Sequence, residues 1–398
     1  MMNKLPKLVL FGAGKIGRSF IGQLFSKGGY EVVFIDVFKP VIDALNRRGN
    51  YNVIIKSDTD KTINIPNVRG VLANDTTQVI AEIATAEILA ISVGMNGMAT
   101  AFPLIAEGLK KRYETNPTSA LDIIIAENMR NADAYFAQEL KSLLPEDYPF
   151  LQLVGLIETS IGKMVPIMLK KDMDEDILQV FAESYNTLIL SKNAFKTPIP
   201  QIEGLAPKAN MKAWVDRKLF IHNLGHAATA YIGYVYNPDF VYLYEALSVT
   251  EIYEKVRNTM LQAAEILLMK YPEEFSRQDL INHIDDLLLR FQNKALGDTI
   301  FRVGCDLTRK LSKQDRVVGA INTAIELGLE YDKIVYVLAC AMNFRAKNEQ
   351  GNLFPGDEEF IYIFNKGVDQ LLNKVCEFNK HEIELIKEQL NSSKILLK

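Results

Sequence analysis

The sequence predicts an α/β domain built on a doubly wound parallel sheet, followed by a second, mostly α-helical domain. Three observations lead there. Over the first 160 residues, short continuous apolar runs alternate with helical patterns, as strands buried on both faces of a parallel sheet require. A Pro-rich, non-periodic stretch from Thr197 to Pro207 then interrupts the pattern and reads as a linker. Beyond it, apolar residues recur at helical spacing almost to the C-terminus. The division expected is 1–196 and 197–398.

Taken in order, Lys7–Phe11 reads as a strand and Lys15–Ser26 as a helix. Glu31–Ile35 is the next strand and Pro40–Arg48 the next helix. Tyr51–Thr62 alternates apolar and polar residues and carries charges, which fits a hairpin insertion. Ile88–Ser92 and Ile123–Ala126 are buried strands on either side of a helix over Gly97–Arg112. In the second half the helical stretches are 211–236, 245–271, 278–294, 315–328, 331–346 and 357–390.

A chain of 398 residues exceeds one ordinary core, so two domains are the default. Hydrophobic residues at 48% and charged residues at 24% belong to a soluble globular protein. The net charge of −4 gives no electrostatic case for nucleic acid or an anionic membrane as partner. No apolar run approaches the ~20 residues that span a bilayer. The start, Met1-Met-Asn-Lys-Leu-Pro-Lys7, lacks an apolar leader, which points to a cytoplasmic protein. Cys305, Cys340 and Cys376 are too far apart and too few for a disulfide framework or a Cys-x-x-Cys site. No His-Glu-x-x-His occurs. The pair His222 and His226 has the i, i+4 spacing of a chelate but no carboxylate or thiolate close by in sequence, so no metal is expected.

Gly12-Ala-Gly-Lys-Ile-Gly17 follows the first strand, opens a helix, and precedes Asp36 at the end of the next strand. That context turns a weak glycine pattern into a Rossmann-type dinucleotide seat. Gly12 permits the tight turn, Gly14 lets the backbone approach a pyrophosphate, and Gly17 lets helix and strand pack closely. The helix N-terminus offers free N–H groups. Gly12, Ala13, Gly14, Lys15, Ile16, Gly17 and Arg18 are the candidate phosphate-loop residues. Asp36 accepts from ribose hydroxyls and repels a 2′-phosphate, favouring NAD over NADP. Lys15 and Lys39 soften that exclusion.

A second signal is Val215-Asp-Arg-Lys-Leu-Phe-Ile-His-Asn-Leu-Gly-His226. At about 100° per residue, Lys218, Asn223 and His226 fall within an arc of roughly 140°. One helical face then carries an amine, an amide and an imidazole among Leu219, Phe220, Leu224 and Ala227. Removing hydride from a secondary alcohol needs a base, and a lysine serves if desolvation or positive neighbours such as Arg217 lower its pKa. Asn223 can donate to the developing carbonyl oxygen in every protonation state. The competing reading is an amphipathic helix whose Lys snorkels and whose Asn and His satisfy backbone. A further pair, Glu127 and Asn128, ends the strand at 123–126, where doubly wound folds put ligands. Asn128 is a second amide donor or a helix N-cap, and Glu127 a proton relay. Tyr362-Ile-Phe-Asn-Lys366 matches a Tyr-x-x-x-Lys pattern but falls in the helical half, remote from the glycine motif.

At these residues the chain resembles the polyol-specific long-chain dehydrogenase/reductase family. The likeness rests on Lys218, Asn223 and His226 at the family's spacing, with the glycine loop through Gly22, Glu127-Asn-Met129, Val165-Pro166, Arg302-Val-Gly304, Arg309-Lys-Leu-Ser312 and Ala341-Met-Asn-Phe-Arg345. It runs from about residue 7 to about residue 350. The resemblance implies a metal-free NAD dehydrogenase acting as a monomer, with Lys218 as acid/base, Asn128 and Asn223 on the reacting oxygen, and His226 at the substrate. The chain's length favours the shorter sugar-phosphate branch. The implied reaction interconverts mannitol 1-phosphate and fructose 6-phosphate. Unphosphorylated polyols or sugar acids, and a non-catalytic NAD(H) sensor, are the alternatives. The chain departs from the family at Ile161-Gly162-Lys163, where Val-Asp-Arg is usual, at Ala126 in place of Cys, and at Lys15 in place of Asn. The missing carboxylate bears on sugar selectivity. For a substrate phosphate, Arg302, Arg309, Lys310, Lys313 and Arg316 lie within one short segment, with Lys163 a further candidate.

Overall fold

A computed structural model describes residues 5–57 and 59–392. Met1–Lys4, and Asp58 of the expected hairpin, lie outside the described residues. The chain divides into two compact units between Val215 and Asp216.

The first unit is a Rossmann-type domain. Its strands are β1 Lys7–Phe11, β2 Glu31–Asp36, β3 Tyr51–Ile55, β4 Lys61–Ile65, β5 Val68–Leu72, β6 Ile88–Ile91, β7 Leu121–Ile125, β8 Val154–Ser160, β9 Val180–Ala182, β10 Leu188–Ser191 and β11 Leu205–Lys208. Eight form one sheet in the order β11-β10-β8-β7-β6-β1-β2-β5. From β5 to β8 every neighbour is parallel, and β10 then joins β8 antiparallel. Val9, Val33, Leu89 and Ile123 face one apolar core; Leu8, Val32, Ile88 and Ile124 face the other. Both faces are dry, which explains the unbroken apolar runs at β1, β6 and β7. The expected hairpin is β3 with β4, paired antiparallel from Tyr51↔Ile65 to Ile55↔Lys61, and β9 adds to it in parallel.

The expected boundary at 196/197 is corrected. The Pro-rich stretch is not a free linker: Lys196 and Thr197 donate their backbone N–H groups to the buried carboxylate of Asp122 at 2.8 and 3.0 Å. After it, β11 pairs with β10, so the sheet retains the chain to Lys208. Strand β11 was hidden because Leu205-Ala-Pro-Lys208 has neither alternation nor an apolar run.

The second unit is helical. Its main helices are Leu224–Tyr236, Thr250–Lys270, Arg277–Phe291, Val318–Leu327, Asp332–Met342, Asp357–Asn365 and Lys380–Ser392. Close packing depends on small residues at crossings: a Cβ on Gly225 would lie 2.5 Å from Sδ of Met260. Cys305, Cys340 and Cys376 are free thiols, all buried. Among the described residues no helix is long and apolar enough to cross a membrane.

Candidate active site

The glycine turn lies where the sheet order reverses, beside the carboxyl ends of β1, β2 and β6. Gly12 has φ +99°, and a Cβ there would run into the Ser92 carbonyl; one on Gly17 would run into the Gly12 carbonyl. Side chains at these two positions are sterically barred. Gly14 differs. A Cβ there would meet nothing within 4 Å, so its backbone is open to a ligand. Phe11, Gly12, Gly14, Asp36, Ser92 and Leu104 are among the residues lining a cavity of about 290 Å³ next to the turn. Asp36, Ser92 and Thr100 supply its polar side chains, and apolar residues and glycines line the rest, a mixture that suits an adenosine. The donor set fits NAD.

Arg18 has another task. Its Nε donates to Ala13 O at 2.7 Å, and its Nη1 donates to Ile177 O and Leu178 O at 3.0 and 2.7 Å. It braces the turn from beneath, where the sequence had placed it on the cofactor. Lys15 is exposed at the helix start. Glu127, expected as a relay, clamps a turn: its Oε1 accepts from Val93 N at 2.7 Å and Gly94 N at 2.8 Å. Burial raises its pKa above the usual carboxylate value. Asn128 follows it past the end of β7.

In the second unit, Lys218, Asn223 and His226 occupy consecutive turns. Residues Lys218–Asn223 form a π-helical segment, in which Leu224 N bonds to Leu219 O five residues back. The arc drawn from a regular helix is therefore corrected, because an i→i+5 turn re-aims every side chain on it. Asp216 anchors the entry: it is fully buried and accepts from Lys270 Nζ at 2.9 Å and Tyr271 OH at 2.7 Å.

Burial and the nearby Arg316 guanidinium bring Lys218 down to about 8, partly countered by Asp315. Arg217 was the expected positive neighbour; Arg316 takes that place. The same guanidinium acts on His226. Burial, then Arg302, Arg316, Lys310 and Arg290, holds the His226 imidazole well below its usual value. Its Nε2 lies 2.9 Å from Asp298 Oδ2, and its ring stacks on Phe291 with centroids 4.8 Å apart. Asp298, Phe291 and Arg316 in this role went unnoticed in the sequence. For Asp298 the signal was weak, an acidic residue in a Gly-Asp-Thr turn.

The expected phosphate cluster comes apart. Lys310 is buried, donating to Val303 O at 2.7 Å and to Cys305 O. Arg302 pairs with Asp298, Arg309 with Asp306, and Arg316 with Asp315 at 2.7 Å. Lys163 donates to Tyr185 O at 2.8 Å and Asn186 Oδ1 at 2.9 Å. Lys313 is exposed. Charge complement and buried carbonyls within the chain thus claim most of these cations. Tyr362 and Lys366 form an exposed surface pair, with Nζ 4.0 Å from the ring centroid.

A dinucleotide seat ahead of a helical unit that carries a desolvated lysine defines an NAD-dependent dehydrogenase, and the family models that match the chain make it one of the polyol dehydrogenases. The chain belongs to the mannitol dehydrogenase family: the family's Rossmann-domain model matches residues 6–204 and its C-terminal-domain model residues 210–395. Curated relatives include the mannitol-1-phosphate 5-dehydrogenases of Buchnera aphidicola subsp. Acyrthosiphon pisum, strains APS and Tuc7. Each is 30% identical over 397 residues, 98% of this chain and 100% of the relative. Among solved structures, a D-sorbitol dehydrogenase in substrate-free form superposes with TM-score 0.81 at 18% identity, covering 98% of this chain and 93% of that one. A Pseudomonas fluorescens mannitol 2-dehydrogenase, in ternary complex with NAD and D-mannitol, gives 0.72 at 17% identity, covering 98% and 91%.

Proposed function

We propose that the protein interconverts mannitol 1-phosphate and fructose 6-phosphate, with Lys218 as the acid/base and no metal. The observation that carries the chemistry is the lowered basicity of Lys218, at about 8. An ordinary lysine, at about 10.4, holds its proton too firmly to serve as a base near neutrality. In oxidation the neutral Nζ takes the substrate hydroxyl proton, and in reduction the ammonium returns it to the ketone oxygen. NAD, when bound, supplies the hydride acceptor. Asn128 and Asn223 donate amide hydrogens to the reacting oxygen, and His226 holds a further hydroxyl. The choice of sugar leans on the full-length alignment with relatives named mannitol-1-phosphate 5-dehydrogenase. The metal-free reading is supported by the donor set: among the described residues no three His, Cys, Asp or Glu side chains group to hold an ion.

A second reading, the same chemistry on an unphosphorylated polyol or a sugar acid, is favoured by one finding. Arg302, Arg309 and Arg316 are matched by carboxylates, and Lys310 by carbonyls, before any phosphate arrives. Purified protein with NADH, assayed against fructose 6-phosphate, fructose, fructuronate and tagaturonate, separates the two. A kcat/KM for fructose 6-phosphate well above that for fructose supports the first reading. Preference for fructose or a uronate supports the second.

A further inference from the structure

Asp298 is held more firmly than a surface loop residue would be. It is 6% exposed, and its carbonyl accepts from Leu243 N at 3.0 Å. Ile300 N donates to Val241 O at 2.8 Å, and Tyr242 and Thr299 form an antiparallel bridge around it. Its Oδ1 pairs with Arg302 and its Oδ2 faces Nε2 of His226. Phe291 stacks on the imidazole at 22° between planes, which fixes the ring's tilt.

The protonation of that ring follows from donor and acceptor rules. An ionised carboxylate only accepts, so a neutral imidazole bonded to it through Nε2 must carry its hydrogen there. Burial, with the positive charges of Arg302, Arg316, Lys310 and Arg290, keeps it neutral. Nδ1 is then left with a lone pair. Among the described residues it has no hydrogen-bond partner, and it is not among the buried polar atoms closed off without one.

We infer that Asp298 is a positioning residue that sets the Nε2–H tautomer of His226, so that Nδ1 acts only as a hydrogen-bond acceptor for a substrate hydroxyl. This rests on the proposed placement of His226 at the substrate and adds the direction of its bond. Two consequences follow. His226 cannot protonate a ketone oxygen, which leaves that step to Lys218. The site also requires a hydroxyl, not a carbonyl, opposite Nδ1.

The test uses the whole enzyme with NAD and without sugar, labelled with ¹⁵N-histidine. The His226 signals are assigned by their loss in His226→Gln. The expected spectrum has a protonated Nε2 and an unprotonated Nδ1 at neutral pH. A protonated Nδ1 in the wild-type protein overturns the inference, whatever sugar the enzyme turns out to use. In Asp298→Asn, Arg302 can only donate, so the amide oxygen turns to it and the NH₂ faces His226. That arrangement forces the hydrogen onto Nδ1. Polyol kcat/KM should then fall roughly 10- to 100-fold, the scale for removing a carboxylate that orients an imidazole. NADH affinity and Tm should change little, and Asp298→Glu should restore both the tautomer and part of the activity. A loss of activity in Asp298→Asn with Nε2 still protonated would mean that Asp298 serves packing alone, and the inference fails.

Discussion

The Asp36 carboxylate accepts a hydrogen bond from the Ala13 amide at 2.7 Å, tying the end of β2 to the glycine turn. Its other oxygen accepts from Phe38 N at 2.9 Å. One side chain thus shapes the turn and puts negative charge at the cavity beside it. Replacing it with Ala or Ser should weaken NAD binding by roughly 10- to 100-fold, the equivalent of one charge-assisted hydrogen bond. The substitution should also narrow the preference for NAD over NADP, since a 2′-phosphate would lose its repelling charge. The measurement is the ratio of kcat/KM for the two cofactors. A ratio unmoved by the substitution would remove Asp36 from the ribose.

Lys218→Ala should lower kcat by about 10²- to 10⁴-fold, the range for losing a general acid or base. Cofactor affinity should be retained. The wild-type rate of polyol oxidation should rise with pH through about 8 as the amine becomes neutral. Ketone reduction should fall over the same interval, because it uses the ammonium. Stability carries the opposite trace. A lysine whose folded pKa is depressed penalises the folded state most below about 8, and the penalty disappears as pH climbs towards its unfolded value near 10.5. Lys218→Met should therefore be inactive yet more stable than wild type at pH 7, with the gain shrinking at higher pH. Urea unfolding at pH 7 and 10 measures this directly.

What could be read from sequence alone divides along physical lines. Strands β1, β2, β6 and β7 were legible because burial on both faces leaves unbroken apolar runs. Strands β8 to β11 were not: Glu158 and Thr159 interrupt β8, β9 has three residues, and β11 contains a proline. At the candidate site, Lys218, Asn223 and His226 stand out because they are close in sequence. Asp298 and Arg316 were missed in their roles, since only the folded second unit brings them to His226 and Lys218. The π-helical segments at Gly17–Gly22 and Lys218–Asn223 were invisible for a different reason. Apolar periodicity assumes 3.6 residues per turn, and a single wide turn leaves too short a trace to detect. Both segments fall on the two motifs that the sequence singles out, the glycine loop and the Lys218–His226 run.

Glu127 separates a clamp from a relay. Its Oε1 holds the amides of Val93 and Gly94, and Val93 lines the cavity beside the glycine turn. Glu127→Gln keeps an oxygen that can accept both bonds but cannot carry a proton. Most of the wild-type kcat should survive in this variant. Glu127→Ala leaves both amides without the acceptor, at a cost of about 1.5–3 kcal/mol for a charged acceptor. It should raise KM for NAD and speed amide exchange at Val93 and Gly94. If Glu127→Gln loses kcat by about 10²-fold or more, the side chain moves protons after all.

The buried carboxylate of Asp122 makes the sharpest stability prediction. Asp122 and Gly155 are register partners across β7 and β8. A Cβ at Gly155 would overlap Oδ1 of Asp122 and lie 2.8 Å from the Ala194 carbonyl. That carboxylate also receives Lys196 N, Thr197 N and, at 2.5 Å, Thr197 Oγ1. Gly155→Ala must push it aside and break these bonds, leaving a fully buried carboxylate short of its donors, with a loss on the order of 3 kcal/mol. Asp122→Ala should cost a similar amount by removing the acceptor directly. Because one carboxylate is the common cause, the double variant should be little worse than either single one. Denaturant unfolding of the three variants, followed through a probe in the first unit, tests this. Strictly additive losses would show that the glycine is needed for the backbone of β8 and not for the space that Asp122 fills.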